Sequence, residues 1–180
     1  MPGVYLYWFS IHPWVHFWRR LGVWRTMIVH YAMIALVGAA LFSVRKPLLA
    51  VEWGTNYLLI LLALPLFALS VALRRQLSRR FTLAMLLGLP EIDPRRRPVN
   101  LVTEGIYSRM RHPRYVQILL ALAGYALVVN YLAAYAIVLL GVFWVWLVAP
   151  IEEKELRERF GRQYEEYSER VPRFLPRWRG

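Results

Sequence analysis

The chain has 180 residues, no cysteine and a formal charge of +12 at pH 7, with 58% hydrophobic residues and a mean hydropathy of +0.36. Soluble domains run to roughly 45–50% apolar, so much of this surface must face lipid, and the missing thiols exclude disulfides, thiolate metal sites and cysteine nucleophiles. The basic residues sit between and beside the apolar runs, which points to headgroups and membrane topology rather than to nucleic acid.

Residues 1–22 form an aromatic arm carrying Tyr5, Tyr7, Trp8, Phe9, Trp14, Phe17 and Trp18, broken by Pro2 and Pro13. It lacks the basic start and clean apolar core of a signal peptide. Its aromatic rings suit the membrane interface. Four apolar runs follow, at 26–44, 56–73, 115–129 and 131–149. A spanning helix needs about 20 apolar residues, so each is predicted to span; the third is short. Pro65 inside the second run predicts a kink that neighbouring helices can tolerate.

Between the second and third runs lies a long loop, 74–114, dense in arginine. Phe81 to Leu89 within it is apolar enough to dip into the interface, and Pro90 to Asn100 reads as a true loop. The third and fourth runs are joined by little more than Asn130. In the tail, 151–180, Ile151, Leu156, Phe160, Tyr164 and Tyr167 recur at near-helical spacing among charges, which predicts an amphipathic surface helix. The expected fold is a single all-α membrane domain of four spanning helices. Arginine lies before the first run, throughout the long loop and in the tail, which places both termini and that loop on the cytoplasmic side.

Two constellations carry chemistry. Pro113 suits the first position of the third helix, where its missing N–H costs nothing. Arg111 and His112 then stand just before that helix, where free amides and the helix dipole attract an anion. An arginine there can clamp a carboxylate; equally, Arg111 and Arg114 can anchor to headgroups with His112 as a cap. Glu152 and Glu153 follow Pro150 at the end of the fourth run. An antiparallel hairpin would bring them beside Arg111 and His112, either as plain ion-pair partners or as part of a site for a zwitterion. His12, His16 and His30 find no matching histidine on an opposing helix, so no metal or haem site is expected.

The stretch Leu101 to Tyr115, LVTEGIYSRMRHPRY, resembles the signature of the isoprenylcysteine carboxyl methyltransferase family and its phospholipid N-methyltransferase relatives. The RHPxY element (Arg111, His112, Pro113, Tyr115) is followed one hairpin later by Glu152 and Glu153. The tail pattern Leu156, Phe160-Gly161, Tyr164, Tyr167 and Val171-Pro172-Arg173-Phe174-Leu175-Pro176 is similar too. The resemblance implies S-adenosylmethionine held by Arg111, His112, Tyr115, Glu152 and Glu153, and a lipophilic or prenylated acceptor entering from the membrane. Tyr107, Tyr115 and Trp146 are candidates by position to face the sulfonium.

Two other functions stay open. A related membrane reductase would use a nicotinamide cofactor. A non-catalytic accessory subunit would use the aromatic arm and basic face to dock a partner membrane subunit. Arg114 and Gln117, where the family often has small or apolar residues, motivate the latter.

Overall fold

The computed structural model describes residues 10–11, 14–78, 92 and 100–176. Half of the aromatic arm, including His12, lies outside the described residues, as do the stretch from Phe81 to Leu89 and most of the loop after Pro90. The elements are α1 (Val15–Leu21), α2 (Val23–Ser43), α3 (Arg45–Leu48), α4 (Tyr57–Ser78), a 3-10 turn (Gly105–Ser108), α5 (Pro113–Val129), α6 (Leu132–Phe160) and α7 (Arg162–Arg170). The protein is an all-α integral membrane protein. Three helices, α2, α4 and α6, are long and apolar enough to cross a membrane, and α5 is a shorter apolar helix. Contacts divide the chain into two compact units.

One unit is built on α1 and α2. Gly22 alone separates them, at φ 84°, a conformation that favours glycine. Helix α2 therefore starts at Val23, three residues before the predicted run. Its 21 residues reach about 32 Å at 1.5 Å per residue, enough for the roughly 30 Å hydrocarbon core. Only Thr26 and His30 of α2 are buried. Thr26 returns its hydroxyl to the Gly22 carbonyl at 2.8 Å. His30 Nδ1 bonds the Thr26 carbonyl at 2.7 Å, and its Nε2 meets the Ser10 hydroxyl. The Trp18 indole donates to the Ser10 carbonyl at 2.6 Å. A small core of Ile11, Trp18 and Ile92 closes this cluster, so its polar atoms are satisfied, as burial requires.

The other unit holds α4 to α7. Helix α4 packs along α5, and α5 along α6. Helix α4 runs unbroken through Pro65. Close approach to α5 is set by Gly124, where a Cβ would lie 3.0 Å from the Phe67 ring. One turn pair nearer the α5 N-terminus, Gln117 Nε2 donates to Ser70 Oγ at 2.9 Å, and Ser70 donates to the Gln117 carbonyl at 3.0 Å. Polar side chains that bond across helices act as glue in lipid.

Asn130 makes the α5–α6 turn in the left-handed region, at φ 52°. Its amide donates to the Gly54 carbonyl at 2.8 Å, and its Oδ1 accepts from the Tyr135 hydroxyl at 3.0 Å. Backbone bonds from Trp53 to Asn130 and from Leu132 to Val51 stitch the chain before α4 onto this turn.

Helix α6 differs from expectation. Its apolar part, 132–149, spans about 27 Å, yet the helix continues through Pro150 to Phe160. An internal proline removes one ladder bond, which is tolerable where neighbours or water can satisfy the freed carbonyl. The break falls instead at Gly161, at φ 52°. The predicted tail helix is thus two pieces: the charged end of α6, and α7. Tyr164 and Tyr167, three apart on α7, bury with Val171 against Leu101, Leu156 and Phe160, as residues on one helical face should.

Candidate functional site

Pro113 begins α5, with His112 as the residue before it. Glu152 and Glu153 lie beyond Pro150, outside the apolar part of α6. The antiparallel α5–α6 hairpin brings these ends together. Tyr115 donates its hydroxyl to Glu152 Oε2 at 2.7 Å. His112 Nε2 bonds Glu153 Oε1 at 3.0 Å, and His112 Nδ1 lies 3.5 Å from Glu152 Oε2. Arg111 Nη2 is 3.5 Å from Glu153 Oε1. All five residues picked out in the sequence therefore form one cluster.

The tail closes the cluster from a third side. The Arg111 and His112 amides donate to the Pro172 and Arg173 carbonyls at 2.9 and 3.0 Å. Arg173 then forks onto Glu153: Nε reaches Oε1 at 2.8 Å and Nη2 reaches Oε2 at 2.7 Å. The ring of His112 stacks on Tyr115 at 5.4 Å and leans on Phe174 at 5.7 Å. The Tyr167 hydroxyl donates to the Tyr107 carbonyl at 2.7 Å, tying α7 to the 3-10 turn before α5.

Electrostatics follow from these contacts. Burial alone would lower the pKa of His112, but its bonds to Glu152 and Glu153 outweigh that and raise it to about 9. The imidazole is therefore a cation at neutral pH, donating from both nitrogens. Burial would push Glu153 up, yet His112, the Arg173 fork and the Arg111 charge hold it well below the usual carboxylate range. Burial and then the Glu152 charge push the Tyr107 phenol far up, with Arg114 opposing. The two carboxylates differ in exposure: the Glu153 side chain is 1% exposed and that of Glu152 25%.

This donor set suits the polar end of an amino-acid zwitterion. Arg111, His112 and Arg173 surround the carboxylates with excess positive charge, which attracts an anionic group. The accessible Glu152 carboxylate can take an ammonium or hydroxyl. In the same cluster burial pushes the Tyr164 phenol up to about 12, the Glu153 charge adds to this, and Arg111 beside it opposes.

A family model described as phospholipid methyltransferase matches residues 58–163, more than half of the chain. The chain belongs to the phospholipid methyltransferase family. Across 80 residues it is 42% identical to protein-S-isoprenylcysteine O-methyltransferase B of Arabidopsis thaliana, covering 43% of this chain and 40% of that protein. It is 40% identical over 80 residues to a probable protein-S-isoprenylcysteine O-methyltransferase of Oryza sativa subsp. indica, covering 43% and 41%. The match thus spans about two fifths of the length of these relatives. A longer likeness, 29% over 160 residues, runs to the cobalt-zinc-cadmium resistance protein CzcN of Cupriavidus metallidurans, covering 88% of this chain and 64% of that protein. No solved structure matches the chain.

Within this family member, sequence reasoning passed over Arg173, Phe174 and Tyr164 as site residues. Their signal was the tail pattern itself, which places one arginine between the buried Val171 and the ring of Phe174. Trp146, a candidate by position, is 65% exposed and stacks on Phe143 at 6.3 Å. Gln117 serves the α4–α5 contact with Ser70.

Proposed function

We propose that the protein is a membrane methyltransferase that uses S-adenosylmethionine and methylates a lipophilic or prenylated acceptor. The carrying observation is the pair of cross-hairpin contacts, Tyr115 with Glu152 and His112 with Glu153. They join the RHPxY element to the paired glutamates at one end of the apolar helices. Supporting it are the family membership and the names of the relatives. The arginine-rich end that holds this site is assigned to the cytoplasmic side, where Lys and Arg collect.

Glu152 would take the cofactor's ammonium or ribose hydroxyls. Arg111 and the α5 N-terminus would hold its carboxylate. Held by these residues, S-adenosylmethionine would supply an electrophilic methyl group to the acceptor's lone pair, with the neutral thioether as leaving group. A carboxylate acceptor carries its nucleophilic lone pair already, so no side chain must remove a proton. Aligning two reactants then contributes most, up to roughly 7–11 kcal/mol in favourable cases. Tyr115 and His112 supply that alignment through the rigid hairpin. The lipid-facing sides of the spanning helices give an apolar acceptor its approach.

The test is calorimetric binding of S-adenosylmethionine and S-adenosylhomocysteine to the detergent-purified protein, beside labelled methyl transfer to a prenylated cysteine and to a phospholipid amine. Micromolar binding that Glu152→Gln abolishes, with transfer to either acceptor, is the expected result. A folded protein that binds neither compound overturns the reading.

A further inference from the structure

The two adjacent glutamates have unequal surroundings. Glu153 is encircled by His112 and Arg111 from the start of α5, Arg157 from α6 itself and Arg173 from the tail. The buried Tyr164 of α7 also acts on it electrostatically. A carboxylate offers about four acceptor positions. Three are filled by good hydrogen bonds, one from His112 and two from Arg173, with Arg111 and Arg157 as longer ion pairs. Glu153 is 1% exposed, and protein donors take most of its acceptor positions. Glu152 is 25% exposed and bonded to Tyr115.

Resting on the methyltransferase reading above, we infer that Arg173 is a positioning residue. Its fork saturates Glu153, Glu153 in turn fixes His112, and Glu152 becomes the carboxylate that meets the cofactor. The tail segment reaches this place because its own carbonyls accept the Arg111 and His112 amides. Arg173 thus locks both the backbone and the side chains of the RHPxY element from outside the spanning helices. Arg157 meets Glu153 only as a longer ion pair, at 3.9 Å.

The probe is S-adenosylhomocysteine, titrated into the full chain in detergent from pH 4 to 9. Arg173→Ala should weaken binding at least about tenfold, the scale of losing one charge-assisted hydrogen bond. Arg173→Lys keeps the charge but not the fork, and should recover part of that loss. The acid limb of the binding profile should move to higher pH in Arg173→Ala, because Glu153 loses a partner that holds its proton off. It should stay near its wild-type position in Arg173→Lys. Combining Arg173→Ala with Glu153→Gln should cost no more than Glu153→Gln alone, as expected for groups acting in series. If Arg173→Ala fails to fold, the affinity of Arg173→Lys decides: a partial loss supports the inference and wild-type affinity overturns it. Wild-type binding with unchanged affinity and acid limb in the arginine variants overturns this inference alone. Absence of wild-type binding overturns the proposed function, and this inference with it.

Discussion

Tyr115 and Glu152 are 37 residues apart in the chain, yet the phenol donates to the carboxylate at 2.7 Å. That bond spans the α5–α6 hairpin at the end opposite Asn130. The hairpin is therefore pinned at both ends, by one polar residue at the turn and by one polar pair at the site.

Removing the phenol should show what that pin contributes. Tyr115→Phe keeps the ring stacked on His112 and deletes only the donor. A net loss of about 1.5–3 kcal/mol is expected for a hydrogen bond to a charged group. Thermal unfolding in detergent measures it, and titration with S-adenosylhomocysteine shows whether Glu152 has also shifted.

His112 should make stability fall at alkaline pH. Its pKa is about 9, against 6.5 for the ordinary value. A raised pKa means the folded state holds the proton more tightly than the unfolded one. The stabilisation is therefore complete below about pH 6.5 and is lost as pH rises through about 9. Unfolding temperatures from pH 6 to 10 should fall in the wild type. His112→Gln should start lower and stay flat across that window; parallel curves would show that another group titrates.

Gly124 should tolerate no added methyl group without cost. Its virtual Cβ sits 3.0 Å from the Phe67 ring, so Gly124→Ala forces α4 and α5 apart or turns the ring. A loss of about 1–3 kcal/mol is expected for such overpacking. Phe67→Leu added to Gly124→Ala should return part of it. Reversible unfolding in mild denaturant, compared across the three variants, reads the coupling.

Asn130 combines a left-handed backbone with two side-chain bonds. Asn130→Ala loses both and should destabilise by about 1–3 kcal/mol. Asn130→Gly keeps the backbone conformation, so it should lie between alanine and wild type. Equal losses in the two variants would assign the whole effect to the hydrogen bonds.

Hydropathy was enough to read four apolar helices, because lipid demands about 20 apolar residues with their backbone bonds satisfied internally. The start of α5 was legible because proline at a helix start carries a local signal. The break between α1 and α2 and the passage of α6 through Pro150 were not. Glycine and proline permit a break without requiring one, and packing decides which is used. Sequence pattern likewise picked out Arg111, His112, Tyr115, Glu152 and Glu153, and a hairpin argument alone predicted that they meet.

Which glutamate does what was decided only by the fold. Glu152 and Glu153 are identical in chemistry and adjacent in sequence. A helix turns each residue by about 100°, so one faces the Arg173 fork and is sealed while the other remains accessible. Apolar runs and local motifs are written residue by residue, and the sequence determines them. The partner of a buried charge depends on where a distant tail returns, and only tertiary structure supplies that.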